Sequence, residues 1–337
     1  MIAPRSALAL GLACCACGAR SDEACWIADR AAGRVTLLDA RLLPVASVAV
    51  EAPRLLALEG ETLWIAGGPS SVSGRATRLW RIEASDRWPE PVRDLESIRD
   101  LCVHPAGGVA LVEERLGRDA ALWHVDSAAS VELELAGMAL VAAGSRRLLV
   151  ALDGGALVLL RSDGAVLEWT ALAGVPRDLC AGDRADTWWV LWGDDVRLTC
   201  FGPGFVRLAE LPVPAGTVRV AADRDGVWTV GEGGAAFVTS SGELLRHADE
   251  LAPGDEPVAV AAAREGALWL LPGAVLRSDV LAGELRVRAS QGGASELVDL
   301  ALANGAGGAR RATPRRRRRR ARVPCRARRA GCDPCWP

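Results

Sequence analysis

The 337-residue sequence contains no lysine and no tyrosine, and it has one asparagine, one glutamine and three histidines. Sites that need a lysine Schiff base, a tyrosine acid or several amide ligands are therefore excluded. All 40 basic residues are arginine, and the hydrophobic half of the chain is mostly Ala, Val and Leu, with only 4% aromatic residues. This bias is typical of a very GC-rich genome, so the missing residue types exclude certain chemistries without indicating one.

Charge is distributed unevenly along the chain. Residues 310–337 hold 12 Arg and one acidic residue, whereas residues 1–309 hold 28 Arg and 41 acidic residues. The formal net charge of −2 is therefore the sum of an acidic body and a basic tail. We expect the acidic body and the basic tail to be separate structural units.

The N-terminus has the layout of an export signal over residues 1–20. Arg5 precedes an apolar run from Ala7 to Cys17, which is too short to span a bilayer as a mature helix. The cysteines at its end resemble a bacterial lipoprotein processing site, with Cys15 and Cys17 as candidate lipidation residues. The alternative is ordinary cleavage near Gly18, releasing a soluble product. We expect an exported protein, periplasmic or at the cell surface, held by a lipid anchor.

A short β-type segment, often with Trp in second place, recurs seven times at a mean spacing of about 40 residues, the period of propeller blades. The seven segments are Cys25–Ala28, Leu63–Ala66, Val109–Val112, Leu148–Ala151, Trp188–Leu191, Val227–Val230 and Leu268–Leu271. Each is followed by further short strands and turn residues, which indicates four antiparallel strands per unit. Because the Trp residues at 26, 64, 189, 228 and 269 share this period, we assign them to the core.

The strand count predicts a closed ring over residues 25–305. The chain begins with a segment of the recurring type and finishes its last repeat with a small-residue strand at 296–303. Pairing 296–303 with 25–29 leaves no open sheet edge in the ring. The predicted fold is all-β, a single seven-bladed β-propeller.

Two stretches resemble known repeat families. Trp26–Asp29 with Arg34–Asp39 is similar to NHL repeats, and Leu157–Trp169 is similar to quinoprotein-like repeats. The resemblance covers residues 25–305 at the level of the fold. It implies that the small-residue strands are innermost, and it says little about function because propellers carry many unrelated activities.

Ligands of propellers usually sit at the mouth of the central channel. If the small-residue strands are innermost, charged residues stand where these strands begin, and together they could bind a polar or zwitterionic ligand. The candidate residues are Arg54, Arg99, Asp100, Arg177, Asp178, Arg219 and Asp299. Salt bridges between blades are the alternative explanation of this ring of charge. The loop Gly67–Gly74 and an apparent insertion from Asp86 to Ser97 are expected to enlarge one side.

No residue pattern predicts a metal site, a catalytic residue or a cofactor. His104, His124 and His247 fall in different repeats without zinc-site spacing, and Asp223–Gly226 is better explained as a hairpin turn than as a calcium loop. Cys102 and Cys180 occupy matching places two repeats apart, and Cys180 and Cys200 fall on non-adjacent strands. We therefore expect Cys25, Cys102, Cys180 and Cys200 to be buried free thiols.

Residues 306–337 form an Arg-rich tail with too little apolar sequence to fold. A polycation of this kind can bind nucleic acid or anionic lipid, and its composition also fits a GC-rich frame read out of register. Both interpretations remain open.

The leading functional hypothesis is a monomeric, non-catalytic propeller at the cell envelope that binds a protein or a small polar ligand. The alternative is a propeller enzyme of the lactonase, lyase or quinoprotein kind, using Asp100, Asp178 or Asp299 with a bound cation. Nucleic-acid binding would depend on the tail, because the folded body is acidic.

Overall fold

The structure is a computed structural model. It describes residues 24–302 except 40, 69–76, 84–87, 116–118, 127–129, 134–136, 172–173, 194–196, 233, 247–257, 264–265, 272–273, 282–283 and 293–296. The predicted signal segment with Cys15 and Cys17, most of the loop Gly67–Gly74, His247 and the Arg-rich tail lie outside the described residues.

The described chain consists of 28 strands and one short 3-10 helix, Pro203–Phe205. The first fourteen strands are β1 (Cys25–Asp29), β2 (Arg34–Leu38), β3 (Pro44–Ala49), β4 (Pro53–Glu59), β5 (Thr62–Gly67), β6 (Thr77–Ile82), β7 (Glu90–Leu95), β8 (Ile98–Val103), β9 (Val109–Glu113), β10 (Ala121–Val125), β11 (Ser130–Leu133), β12 (Met138–Ala143), β13 (Arg147–Leu152) and β14 (Ala156–Arg161). The others are β15 (Val166–Ala171), β16 (Pro176–Ala181), β17 (Trp188–Trp192), β18 (Arg197–Phe201), β19 (Arg207–Pro212), β20 (Thr217–Ala222), β21 (Gly226–Gly231), β22 (Gly234–Thr239), β23 (Leu244–Arg246), β24 (Ala259–Ala263), β25 (Gly266–Leu271), β26 (Ala274–Leu281), β27 (Glu284–Gly292) and β28 (Leu297–Leu302).

The strands form seven four-stranded antiparallel sheets, which confirms the predicted seven-bladed propeller. Six blades use four consecutive strands, and the first blade has the order β28-β1-β2-β3. In that blade Cys25 pairs with Leu302 and Ile27 with Leu300, so the last strand closes the ring on the first. This is the predicted closure, with the last strand at 297–302.

The small-residue strands β28, β4, β8, β12, β16, β20 and β24 are innermost, since each contacts its counterparts in the two adjacent blades around the ring. We call the end of the channel where these inner strands begin the mouth, and the end where they finish the base. Because adjacent strands are antiparallel, the turns from the third to the fourth strand of each blade lie at the base. Cys25 and Leu302 also lie at the base.

The core lies between adjacent blades. One hydrophobic cluster joins Ala28 and Val35 of the first blade to Leu56, Ile65 and other residues of the second. The periodic Trp side chains at 64, 228 and 269 are fully buried, as predicted, whereas those at 26 and 189 are partly buried. The indole Nε1 atoms of Trp64 and Trp228 donate hydrogen bonds to Glu59 and Asp223 at the base.

The apparent insertion from Asp86 to Ser97 largely belongs to the regular fold. Its residues Glu90–Leu95 are β7, the fourth strand of the second blade. Sequence reading mistook this strand for a loop because Pro91 and three charged residues mask its alternation. Among the described residues, no helix is long and apolar enough to cross a membrane.

Candidate functional site

A β-bulge recurs near the start of the inner strand in six blades, where one residue is skipped in the pairing with the second strand. The skipped residues are Arg54, Arg99, Ala139, Arg177, Val218 and Val298. A bulged residue leaves the ladder and bends its strand, which changes the direction of nearby side chains. Three of the predicted arginines therefore occupy one special backbone position in the second, third and fifth blades.

These three arginines are all exposed at the mouth. Arg99 and Arg177, with Leu140 between their blades, line a cavity of about 520 Å³. The Arg99 guanidinium lies 3.1 Å from the Asp153 carboxylate. Neither Arg54 nor Arg177 makes an ion pair with another described residue. Among the described residues, the mouth thus presents the exposed guanidinium groups of Arg54 and Arg177 without a paired carboxylate, which favours an anionic ligand.

Immediately after the bulge, two inner-strand carboxylates connect adjacent blades. Asp100 Oδ2 accepts a hydrogen bond of 2.8 Å from the backbone N–H of Val141 in the fourth blade. Asp178 Oδ2 accepts one of 2.7 Å from the backbone N–H of Val220 in the sixth blade. Asp178 Oδ1 also lies 3.3 Å from the guanidinium of Arg219. The predicted alternative, ion pairing between blades, is therefore present for Asp178 with Arg219 and for Arg99 with Asp153 of the fourth blade.

Burial raises the pKa values of both carboxyl groups. For Asp100, burial outweighs the opposing effects of the Val141 N–H and the positive charge of Arg219. For Asp178, burial raises the pKa to about 6, with Arg219 lowering it and the charge of Asp100 raising it. Acids with raised pKa values in a channel can serve as proton donors near neutral pH, although structural ion pairs produce the same shift.

The strand pairing places Asp299, Leu55 and Leu140 at the same level of the channel as Asp178. Asp299 pairs with Ala28 as Asp178 pairs with Leu191, so both occupy the same place in their blades. Leu55 and Leu140 take that place in the second and fourth blades. The charged level of the channel is therefore interrupted by apolar side chains, an arrangement suited to a ligand with polar and apolar parts.

A cluster around Glu113, also toward the mouth, was missed by sequence reading. The buried Glu113 carboxylate accepts hydrogen bonds from the Glu96 backbone N–H at 3.0 Å and from Trp123 Nε1 at 2.8 Å, and it pairs with Arg115 at 3.0 Å. The guanidinium of Arg93, from the second blade, lies 3.7 Å from the centre of the Trp123 ring. These contacts fasten the second blade to the third.

Two histidines that the sequence analysis assigned to different repeats are in contact in the structure. His104 follows β8 and His124 lies on β10 in the same blade, and their rings stack with centroids 3.6 Å apart. His104 is 1% exposed, and its pKa is lowered to about 4 by burial and by the charge of His124. Its Nδ1 accepts a hydrogen bond from the Ala106 backbone N–H. Strand order was the signal that could have placed the two residues together.

The other features that the sequence analysis interpreted as structural are the hairpin at Asp223–Gly226 and the four cysteines of the body. Asp223 and Gly226 close a hairpin through a 2.9 Å backbone hydrogen bond. Cys25, Cys102, Cys180 and Cys200 are free thiols, as predicted, but only Cys25 and Cys200 are buried, whereas Cys102 and Cys180 are partly buried. Within the described residues, no group of three or more His, Cys, Asp or Glu side chains could hold a metal ion.

No protein-family profile matches the sequence, and no curated protein matches it. Solved structures do resemble the fold. A periplasmic gluconolactonase from Pseudomonas aeruginosa aligns with a TM-score of 0.63 at 13% identity, over 83% of this chain and 98% of that one. Virginiamycin B lyase from Staphylococcus aureus aligns with a TM-score of 0.59 at 13% identity, over 73% and 87%. A Lactobacillus plantarum protein aligns with a TM-score of 0.61 at 13% identity, over 83% and 99%. At these identities the likeness shows the seven-bladed propeller fold alone.

Proposed function

We propose that this protein is an exported, membrane-anchored propeller that binds a small anionic ligand at the channel mouth without transforming it. The observation that carries the proposal is the repeated bulge, which places the exposed guanidinium groups of Arg54, Arg99 and Arg177 around one end of the channel. Arg54 and Arg177 make no ion pair with another described residue and Arg99 is held by Asp153, so charged donors on rigid strands pre-organise a site for carboxylate or phosphate groups.

The ligand is expected to combine an anionic group with an apolar or neutral part. Leu140 lines the cavity beside Arg99 and Arg177 and offers no hydrogen-bonding side chain. Deeper in the channel, the carboxylates of Asp100 and Asp178 already accept hydrogen bonds from the neighbouring blades. These carboxylates would repel a second anionic group, so the negative end of the ligand should remain at the mouth.

The test is isothermal titration of the protein with 6-phosphogluconate, citrate and inorganic phosphate at low ionic strength. Arg177→Ala should weaken saturable binding about tenfold, since a charged hydrogen bond contributes about 1.5–3 kcal/mol. Arg41→Ala at the base is the matched control and should bind as the unmodified protein does. If none of the three anions binds saturably at millimolar concentration, or if both variants weaken binding equally, the proposal is wrong.

A second candidate is a lactonase or lyase activity in which Asp178 or Asp100 transfers a proton, assisted by a bound cation. Its support is the raised pKa of both carboxyl groups, together with the fold shared with a gluconolactonase and with virginiamycin B lyase. Hydrolysis of D-glucono-1,5-lactone above the spontaneous rate, lost in Asp178→Asn and sensitive to a chelator, would establish this candidate. It would also refute the non-catalytic proposal.

A further inference from the structure

The exposed apolar side chains are concentrated at the base. Ten large hydrophobic side chains are exposed among the described residues. Eight of them lie in the turn between the third and fourth strands or in the first two residues of the fourth strand. Both places are at the base.

Five consecutive blades contribute to this set. We define the apolar arc by one residue from each of these blades: Leu43, Trp88, Val131, Val166 and Val206. Trp88 is 82% exposed, the highest value in the set. The opposite end of the molecule has one such side chain, Val175, within the described part of the chain. An asymmetry of this size indicates an interaction surface rather than the scattered apolar residues normal for a protein surface.

Fourth strands are not suited to binding another strand at this end. In the first, fourth and fifth blades a bulge skips Val45, Leu167 or Leu208 at the start of the fourth strand. Bulges of this kind twist a sheet edge away from further pairing. The arc is therefore expected to bind through side-chain burial and not through added backbone hydrogen bonds.

The first and the last strand of the ring, in chain order, begin and end at the base. Cys25 begins β1 there, and the candidate lipidation residue Cys17 precedes it by eight positions, a span of at most about 30 Å. Leu302 ends β28 beside it, and the sequence that follows carries 12 Arg over residues 310–337. The predicted anchor and the Arg-rich sequence are therefore joined to the propeller at the end where Trp88 is exposed.

We infer that the base is a docking surface for an anionic phospholipid bilayer, with the apolar arc seated at the level of the headgroups. Trp, Leu and Val side chains partition into that interface, and arginines near it are attracted to anionic lipid. A surface contact of this kind adds its membrane affinity to that of the predicted lipid anchor and fixes the orientation of the propeller on the bilayer. The mouth then faces away from the bilayer and stays open to ligand.

The inference relies on the predicted anchor for orientation, but it can be tested without the lipid. Because β28 closes the ring on β1, residues 21–337 contain every strand of the propeller. The probe is sedimentation with vesicles of phosphatidylcholine and phosphatidylglycerol, compared with vesicles of phosphatidylcholine alone. We expect binding to the mixed vesicles and a loss of at least tenfold in the double variant Trp88→Ser, Val206→Ser.

Val175→Ser is the matched control, since Val175 and Val206 are 52% and 59% exposed at opposite ends. It should bind vesicles as the unmodified chain does. Removal of residues 306–337 should weaken binding but leave the remainder dependent on the arc. Three results would overturn the inference: no vesicle binding, binding unaffected by the double variant, or a dimer in solution that the double variant dissolves. The anion titration at the mouth is independent of all three.

Discussion

Asp178, on the inner strand of the fifth blade, accepts a 2.7 Å hydrogen bond from the backbone N–H of Val220 on the inner strand of the sixth. Asp100 makes the same bond to Val141 between the third and fourth blades. Inner strands of adjacent blades lie in different sheets, so no ladder hydrogen bond connects them. These carboxylates supply that connection near the mouth at two of the junctions between blades.

Replacing the Asp178 carboxylate, which accepts this hydrogen bond, should show how much the bond contributes to the free energy of unfolding. In Asp178→Ala the buried Val220 N–H loses its partner, whereas Asp178→Asn retains an oxygen acceptor of the same shape. We expect the Ala variant to be less stable than the Asn variant by about 1–3 kcal/mol, the cost of an unsatisfied buried donor. Urea unfolding of the two variants at pH 7 measures the difference. Equal stability would show that water replaces the carboxylate.

The raised pKa of Asp178 predicts that Asp178→Asn gains stability relative to the unmodified protein as the pH rises. The native pKa of about 6 exceeds the ordinary value of 3.8, so the native state holds the proton longer than the unfolded state does. Ionisation therefore reduces stability as pH rises from about 4 to 6, by about 3 kcal/mol in total. Relative to the unmodified protein, the Asn variant should gain that amount across this window.

Asp163→Asn is the control for that measurement. Arg161 lowers the pKa of Asp163 from 3.8 to about 2, so the stability from this carboxylate changes only below about pH 4, and Asp163→Asn should differ from the unmodified protein by a nearly constant amount between pH 4 and 7. Unfolding midpoints of all three proteins at pH 4, 5, 6 and 7 give the comparison. A flat difference between Asp178→Asn and the unmodified protein would contradict the burial of that carboxylate.

The stacked histidines predict a loss of stability in acid. The pKa of His104 is about 4 in the native state and 6.5 ordinarily, so the unfolded state binds the proton first. Stability from this residue is complete above pH 6.5 and is lost as pH falls toward 4, by about 3 kcal/mol. His104→Phe should remove this dependence while keeping a ring against His124. Differences between variant and unmodified protein are needed, because the trends of His104 and Asp178 oppose each other.

The four cysteines of the body should be inert in the folded protein. Burial raises the pKa of Cys25 to about 12 and raises those of Cys102, Cys180 and Cys200 as well. Because the thiolate is the reactive form, N-ethylmaleimide at pH 8 should label none of them quickly. After unfolding, residues 21–305 should take up four labels. A count of two would reveal a disulfide.

Strand order and ring closure were predictable because both follow from local pattern. Seven similar strands at one period require seven similar sheets. One inner strand, at 297–302, is left over at the end of the chain, and Cys25–Asp29 lacks an inner partner at the start, so these two strands can pair only with each other. The mouth residues Arg54, Arg99 and Arg177 also follow from position within the repeat. β7 was misread because its alternation is masked by charge, and its place was decided by pairing with β6.

Contacts between blades were decided by the tertiary structure. The sequence by itself determined seven sheets, their inner strands, the free cysteines and an acidic body with a basic tail, because repeat period and composition carry that information. Pairing within the third blade brought His104 onto His124, and packing between adjacent blades brought Arg93 onto Trp123 and Asp178 to the N–H of Val220. The closed ring also gathered Leu43, Trp88, Val131, Val166 and Val206 at one end, since residues about 40 apart become neighbours only when blades pack around a common axis.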